Sequence, residues 1–349
     1  MIPLVSDTES KPSAAMREAI AKAPVGDEQK GEDPTVNELL ARVAEMLGKP
    51  AALWLPGGTM CNMIAIKVHT QPGDVVFAEA MAHILRAESG GAALTSAIML
   101  EAIATERGIF SADQLSQAIA RVQATPEPYA APLGMVCVEQ THNFGGGSVW
   151  TEDELAAISE HAHGRGMPVH MDGARLLNAA IASGQPASAF AAQVDSVWID
   201  FTKGLGAPIG AVLAGSVDFI AQARRYKQAF GGAMRQAGIA AAGCLYALDH
   251  HVQRLAEDHN NAAELASGLA KLDGVTVRNQ QPESNMVFFS LAPGGLSHEH
   301  FMDKMAQRGV ALGDAGDAIR AVTHLDVEQR HIGETLTHMS EVLSDPGAG

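Results

Sequence analysis

An aspartate and a lysine each follow an apolar stretch of this sequence. Asp172 comes directly after residues 168–171, and Lys203 comes shortly after residues 196–201. If both stretches are strands of a parallel sheet, their carboxyl ends lie at one edge and the two side chains point into the same crevice. Alone, an aspartate at a strand end is usually a cap, and a lysine before glycine is usually a solvated loop charge. The prediction therefore rests on the pair.

A carboxylate and an amine placed in this way suit pyridoxal 5'-phosphate (PLP). PLP is held as a Schiff base on a lysine, and its ring accepts electrons only while the pyridine nitrogen is protonated, a state that a buried carboxylate beside it stabilises. Lys203 would form the Schiff base and Asp172 would face the ring nitrogen. The two residues thus predict PLP as the cofactor.

Short apolar runs alternate with helical patterns from about residue 35 to residue 245, which predicts an α/β domain with a mostly parallel central sheet between helices. The runs are residues 51–55, 75–78, 97–100, 135–138, 168–171, 196–201 and 209–214. After residue 245 the pattern predicts a smaller α+β domain, with strands at 275–277, 286–289 and 319–322 and a helix near 298–308. We therefore expect an N-terminal segment and a large domain at 1–245 and a small C-terminal domain at 246–349.

The turn Gly57-Gly58-Thr59-Met60 follows the first of these runs and opens a helix. Small residues let the backbone approach an anion, and the free N–H groups of a helix start favour a phosphate. An ordinary strand-to-helix turn is the alternative. The turn lacks the glycine fingerprints of dinucleotide and nucleoside triphosphate sites, so those ligands fit poorly.

Two histidines and two arginines complete the set of candidate site residues. His83 and His142 each follow a predicted strand, where an imidazole could stack on a cofactor ring or exchange a proton with substrate. Arg175 and Arg320, both with apolar or small neighbours, could clamp a carboxylate in bidentate fashion. The remaining histidine pairs lack the spacing of metal ligands on a helix, so no metal is predicted.

Composition excludes several classes of function. The chain of 349 residues has 24 basic and 40 acidic side chains and a net charge of −16, which disfavours nucleic acids and anionic membranes as partners. Its three cysteines, Cys61, Cys137 and Cys244, are too few and too scattered for a disulfide framework. Neither a signal-peptide pattern nor a long apolar span is present in the sequence. A cytoplasmic location is therefore expected.

Over nearly its full length the chain resembles the low-specificity L-threonine aldolases, which are PLP enzymes of fold type I. The segments that carry the resemblance are Ser6-Asp7-Thr8, Gly31-Glu32-Asp33-Pro34-Thr35, Gly58-Thr59-Met60, Thr141-His142-Asn143, His170-Met171-Asp172-Gly173-Ala174-Arg175, Lys203-Gly204-Leu205, Gly232-Ala233-Met234-Arg235-Gln236-Ala237-Gly238 and Arg320-Ala321-Val322-Thr323-His324. The resemblance implies a lyase that reversibly cleaves L-threonine, L-allo-threonine and related β-hydroxy-α-amino acids to glycine and an aldehyde.

The resemblance also implies a role for each matched residue. Lys203 would be the Schiff-base lysine, Asp172 the partner of the pyridine nitrogen, and His83 the residue stacked on the ring. The other assignments are a phosphate cradle of Gly58, Thr59 and Met60, a substrate-carboxylate site of Ser6, Arg175 and Arg320 with Arg175 also beside the cofactor, and His142 near the β-hydroxyl. Either histidine could be the base. The family forms homotetramers, dimers of dimers with shared active sites, so Arg235 could reach a neighbour's phosphate.

The chain departs from the family pattern at the expected entrance. Lys30 stands where a tyrosine is common, and Leu85-Arg86-Ala87 stands where aromatic residues are common. If Lys30 and Arg86 face the site, they favour a substrate with a second carboxylate, such as a β-hydroxyaspartate-like compound. The alternative is that both are solvated surface cations.

Two other functions share much of this pattern. An aminotransferase has the same fold, lysine and aspartate, but it needs a keto acid, whereas an aldolase releases glycine from L-threonine alone. A PLP-binding or cofactor-free α/β protein could also keep the scaffold without the activity.

Overall fold

The computed structural model describes residues 1–344, which form two β-sheets and the helices that cover them. The strands are β1 Ile2–Leu4, β2 Ala51–Leu55, β3 Val75–Glu79, β4 Met99–Ile103, β5 Leu133–Glu139, β6 Val169–Gly173, β7 Ser196–Asp200, β8 Ala211–Gly215, β9 Val275–Val277, β10 Met286–Leu291, β11 Val310–Asp314 and β12 Ile319–Val322. The helices are α1 Ala14–Ala21, α2 Pro34–Leu47, α3 Gly58–His69, α4 His83–Arg86, α5 Gly91–Ser96, α6 Ala112–Gln123, α7 Glu152–His163, α8 Leu176–Ser183, α9 Ala187–Ala191, α10 Val217–Ala229, α11 Gly238–His250, α12 Leu255–Leu269, α13 His298–Gln307 and α14 Gln329–Ser344.

The large sheet has the strand order β2-β8-β7-β6-β5-β3-β4. Strands β4, β3, β5, β6 and β7 pair in parallel, and only β8 runs against its neighbours β7 and β2. The carboxyl ends of β2, β3, β5, β6 and β7 therefore meet at one edge, which we call the carboxyl edge. The predicted mostly parallel sheet is confirmed. The run predicted at 97–100 is displaced, because Ala97 has φ +54° and closes α5, so β4 begins at Met99.

Both faces of the large sheet are buried, which explains why its strands read as continuous apolar runs. One face packs in a core with α2, α6 and α7, and the other packs with α3 and α10. Capping boxes begin two of the covering helices: Ser111 caps α6 and Thr151 caps α7, each with the reciprocal bond from the third helical residue.

The small sheet has the order β1-β11-β12-β10-β9 and its own apolar core against α12, α13 and α14. Its predicted strands and helix are all present. Strand β1 pairs in parallel with β11, so residues 2–4 of the N-terminal segment belong to the small sheet. Residues 345–349 of the predicted small domain lie outside the described residues. Within residues 1–344, every helix is too short or too polar to cross a lipid bilayer.

Candidate active site

A cavity of about 380 Å³ opens at the carboxyl edge of the large sheet. Most of the site residues predicted from the sequence line it, namely Ser6, Gly58, Thr59, His83, Asp172 and Lys203 together with Arg175 and Arg320. The carboxylate and the amine on which the sequence prediction depends thus share one cavity. Met60, His142, Lys30 and Arg235 are not among its lining residues.

Lys203 is held in the turn that follows β7. Its Nζ donates to Asp200 Oδ2, and it lies 5.7 Å from the centre of the Trp198 ring. Asp200 Oδ1 also accepts from the backbone and hydroxyl of Thr202, at 2.9 and 2.8 Å, so the same carboxylate shapes the turn and holds the amine. The lysine side chain is only 18% exposed. The structure therefore presents a nearly buried amine at a fixed place in the cavity.

Asp172 is a buried carboxylate without a cationic partner. It accepts from Asn62 Nδ2 at 2.7 Å and from the Ala174 backbone N–H at 3.1 Å. Burial, followed by the negative charges of Glu139 and Glu88, raises its pKa to about 7, although His83 opposes the shift. Among residues 1–344 no lysine or arginine forms an ion pair with it. A protonated pyridine nitrogen would supply the missing positive charge, so this residue fits the ring of PLP.

His83 begins α4 and lines the cavity beside Asp172. Its Nδ1 lies 2.8 Å from Glu88 Oε1, a hydrogen bond that raises the pKa of the imidazole against the opposing effect of burial. Asn62 Nδ2 donates at 2.7 Å to both Glu88 Oε1 and Asp172 Oδ2. The ligand atoms of His83, Glu88 and Asp172 lie within 4.8 Å of one another, as metal ligands do. The Asn62 NH₂ group donates to the carboxylates of Glu88 and Asp172, and an NH₂ group cannot ligate a cation. We therefore interpret the cluster as a hydrogen-bond network rather than a metal site.

The N-terminus of α3, where the sequence predicts a phosphate site, lies at the cavity. Its cap is Gly57, which makes no side-chain capping bond, so the first N–H groups of the helix are available to a ligand. A Cβ at Gly58 would lie 2.1 Å from the Trp198 ring, so only glycine permits this close approach of helix and strand. Thr59 lines the cavity. The side chain of Met60 packs against the cluster around Leu53 and Phe219, so only its backbone N–H, in the first turn of α3, could join the predicted phosphate cradle.

The two arginines differ in their partners. Arg175 donates through Nε and Nη2 to Asp7, both at 2.7 Å, and this ion pair raises its pKa although burial opposes the rise. Its bidentate fork, expected to clamp substrate, is therefore occupied by Asp7. Arg320 donates to Asn143 Oδ1 and to the Val5 carbonyl, each at 3.0 Å. No carboxylate among the described residues pairs with Arg320, and burial, followed by the charge of Arg175, lowers its pKa.

His142 is placed differently from the expectation. It is 1% exposed, accepts from the Gly145 N–H through Nδ1, and has Nε2 3.1 Å from Glu79 Oε2. Burial alone would lower its pKa, but the carboxylates of Glu139 and Glu79 outweigh burial and raise it. It lines a second cavity of about 230 Å³, and Phe144 lines both cavities. The structure thus brings His83, but not His142, into the cavity that holds Lys203.

The three cations expected at the entrance or from a neighbour lie on the surface. Lys30 is exposed at the end of a short 3₁₀ helix, and Arg86 donates to the Ala80 carbonyl at 2.7 Å. Arg235 pairs with Asp27 at 3.0 Å and is 60% exposed. Within this chain none of them reaches the cavity.

Sequence reasoning missed Glu139, which lines the cavity at 5% exposure. It is the last residue of β5 and the register partner of Asp172 on β6. Because paired residues of parallel strands point to the same face, an acid at the end of the strand next to Asp172 was the signal available in the sequence. Asn143, Phe144 and Trp198 also line the cavity and were not singled out.

The chain is similar to known proteins along its length. The family model described as "Beta-eliminating lyase" matches residues 3–292. The low specificity L-threonine aldolase of Escherichia coli (strain K12) is 37% identical over 345 residues, which cover 99% of this chain and 100% of that protein. Low-specificity L-threonine aldolase 1 of Arabidopsis thaliana is 34% identical over 346 residues, covering 98% of this chain and 96% of that protein.

A solved structure shares the fold. The threonine aldolase of Leishmania major superposes with a TM-score of 0.83 at 19% identity, covering 99% of this chain and 100% of that chain. Together with the mostly parallel sheet between helices, this similarity confirms the predicted fold class.

Proposed function

The chain belongs to the beta-eliminating lyase family and, within it, to the low-specificity L-threonine aldolases, and on that basis we propose that it reversibly cleaves L-threonine, L-allo-threonine and related β-hydroxy-α-amino acids to glycine and an aldehyde. The observation that carries the proposal is the shared cavity of Lys203 and Asp172, in which Asp172 is buried and, among residues 1–344, pairs with no lysine or arginine.

The family is PLP-dependent, and the residues of this cavity fit PLP. When bound, PLP supplies a conjugated ring that accepts the electrons of the breaking Cα–Cβ bond. Lys203 would hold the cofactor covalently, Asp172 would face its ring nitrogen, and His83 would lie against the ring. The free N–H groups at the start of α3, with Gly58 and Thr59, would bind the phosphate.

Arg320 would bind the carboxylate of the substrate. Its charge is unpaired, it is partly buried, and it lines the same cavity as Lys203. Ser6, whose Oγ accepts from the backbone N–H of Thr8, adds a hydroxyl to the lining of the same cavity. Because Nε and Nη2 of Arg175 donate to Asp7, this arginine would contact a ligand only through Nη1. A planar guanidinium suits a carboxylate because it can donate two parallel hydrogen bonds.

His83 is the better placed of the two candidate bases. It lines the cavity, and Glu88 holds its Nδ1, so Nε2 is the atom left to take the proton of the substrate hydroxyl. His142 lines the second cavity, so a proton from the substrate could reach it only past Phe144, which lines both cavities.

We further propose that the protein is a cytoplasmic homotetramer, in which each protomer has an N-terminal segment and a large domain at residues 1–245 and a small domain at residues 246–349. The exposure of Lys30 and Arg235 leaves both cations accessible to a neighbouring protomer. Sedimentation equilibrium tests the assembly.

The activity is tested with L-threonine as the sole substrate. Purified protein loaded with PLP is expected to release glycine and acetaldehyde in equal amounts without any keto acid. Lys203→Ala, prepared in parallel, serves as the control. Amino-group transfer that appears only when a keto acid is added would replace the aldolase proposal with an aminotransferase.

A further inference from the structure

Glu139 holds the backbone on two sides of the cavity. Its Oε2 accepts the N–H of His83 at 2.7 Å, and its Oε1 accepts the N–H of Asn143 at 2.8 Å. His83 belongs to the segment after β3, and Asn143 belongs to the segment after β5. One buried carboxylate therefore fixes the relative position of two loops that carry cavity residues.

Asn143 passes this constraint to Arg320. Its side-chain Oδ1 accepts from Arg320 Nη1 at 3.0 Å, while Arg320 Nη2 donates to the Val5 carbonyl at 3.0 Å. Because no described carboxylate pairs with the guanidinium, these two neutral acceptors determine where it lies. Movement of the Asn143 backbone would displace one of these acceptors, Asn143 Oδ1, and the Arg320 guanidinium with it.

A carboxylate is the one side-chain group that suits this position. Both of its partners are backbone N–H donors, and an ionised carboxylate accepts on both oxygens. A glutamine of the same shape would accept with its oxygen but turn its NH₂ towards the other donor. The negative charge of Glu139 raises the pKa of its neighbour Asp172, and it also favours the protonated forms of His83 and His142.

We propose that Glu139 is a positioning residue that places His83 for the cofactor ring and, through Asn143, places Arg320 for the substrate carboxylate. The inference rests on the proposed function, which assigns those two tasks. Glu139 itself transfers no proton in this scheme. Its removal should therefore weaken the binding of two ligands at once, in ways that can be separated.

The first variant is Glu139→Gln, with two dissociation constants measured. The constant for PLP is obtained by titrating the cofactor-free protein, and the constant for glycine is obtained by calorimetry on the loaded protein. Each is expected to rise about tenfold, since one loop loses its bond to the carboxylate and the other keeps only a weaker bond to a neutral amide oxygen. Unchanged constants for both ligands would overturn the proposal.

A double-mutant cycle with Asn143→Ala separates positioning from general damage. Asn143→Ala should weaken glycine binding and leave the PLP constant unchanged. In that background, Glu139→Gln should add little further loss for glycine, while its full effect on PLP persists. If the glycine dissociation constant of the double variant rises by the product of the two single-variant increases, the two residues act independently, and the route through Asn143 is contradicted. If Glu139→Gln fails to fold, an unchanged glycine constant in Asn143→Ala alone contradicts it.

Asp195→Asn is the matched control at the opposite edge of the same sheet. Asp195 Oδ2 accepts the backbone N–H of Val169 at 2.7 Å, so the variant also removes a carboxylate that holds a strand end. Both dissociation constants should remain as in the wild type. Failure of the wild-type protein to bind PLP would refute the proposed function itself, whereas wild-type binding with an unaffected Glu139→Gln would refute only this inference.

Discussion

The two sides of the cavity are charged in opposite senses. On the floor, at the ends of β5 and β6, Glu139 and Asp172 are buried carboxylates, and among residues 1–344 neither forms an ion pair with a lysine or arginine. On the wall nearest the small sheet, Arg175 and Asp7 neutralise each other, and no described carboxylate pairs with Arg320. Among residues 1–344 the floor therefore has unpaired carboxylates, and the wall has an unpaired guanidinium. A ligand pair with a protonated ring and a carboxylate would supply a partner for each side.

The same contrast separates two buried aspartates, Asp172, which lines the cavity, and Asp7, which binds Arg175 of the lining. The pKa of Asp7 falls to about 2, because Arg175 outweighs the effect of burial, whereas the pKa of Asp172 rises to about 7. The paired aspartate stabilises the fold, and the unpaired one costs stability until a ligand arrives. The difference shows which acid is structural and which is available for chemistry.

Lys203→Ala should have the largest effect, because it removes the amine that lies between the two sides. Activity should fall below about one thousandth of the wild-type value. Borohydride reduction of the loaded protein followed by mass spectrometry should show the cofactor attached to Lys203 in the wild type and no attachment in the variant. Attachment at another lysine would contradict the assignment.

Asp172→Asn tests the floor and should reduce kcat about 100-fold or more, since a neutral amide does not keep a ring nitrogen protonated. In the cofactor-free protein, by contrast, the same substitution should increase the stability of the fold. Because the folded pKa of Asp172 is raised from 3.8 to about 7, the wild type loses stability as the pH rises through that interval.

Thermal melts of the two cofactor-free proteins at pH 8 and pH 4 measure this effect. Asp172→Asn should melt higher than the wild type at pH 8, and the difference should shrink towards pH 4. A variant that melts lower at pH 8 would show that Asp172 has a cationic partner in the cofactor-free protein.

Arg320→Ala tests the wall. Loss of a guanidinium that donates to a carboxylate should raise KM for L-threonine about 10- to 100-fold, with a smaller change in the affinity for PLP. Steady-state kinetics and a PLP titration make the measurement. Arg320→Lys should recover only part of the loss, because an ammonium cannot donate two parallel hydrogen bonds. A larger loss of PLP affinity than of substrate affinity would assign Arg320 to the cofactor.

Asp7→Asn tests the neutral pair, and its main effect should be on stability. Leaving Arg175 buried without its partner should lower the free energy of unfolding by about 3 kcal/mol. The contribution of Asp7 is present above its ordinary pKa of 3.8 and is lost as the pH falls towards 2. Urea unfolding at pH 7 and at pH 3 should therefore show a difference between variant and wild type that narrows at the lower pH.

Lys30→Ala and Arg86→Ala should have the smallest effect, since neither cation reaches the cavity within the chain. The ratio of kcat/KM for β-hydroxyaspartate to that for L-threonine should change by less than about twofold in each variant. A selective loss of β-hydroxyaspartate turnover would restore these residues as selectors of an anionic substrate. It would also place them against a neighbouring protomer's cavity.

Much of the fold could be predicted because buried parallel strands read as apolar runs and helix starts carry local signals such as Ser111 and Thr151. The shared cavity of Asp172 and Lys203 followed from the same pattern. The pairing of Arg175 with Asp7 could not be predicted, because it joins residues far apart in sequence and depends on where β1 docks. The cavity that His142 lines could not be predicted for a similar reason: the end of a strand fixes an edge of the sheet, but the loop conformation decides which cavity the side chain enters.

The parallel pairing of β1 with β11 has a consequence for biosynthesis. Ile2 lies opposite Val310, so almost the whole polypeptide must leave the ribosome before this pair of strands can form. Asp7 follows β1 closely and reaches Arg175 only from that docked position. The large sheet can therefore assemble during translation, but Arg175 gains its partner last, and a nascent chain that stalls before β11 emerges should lack a competent pocket.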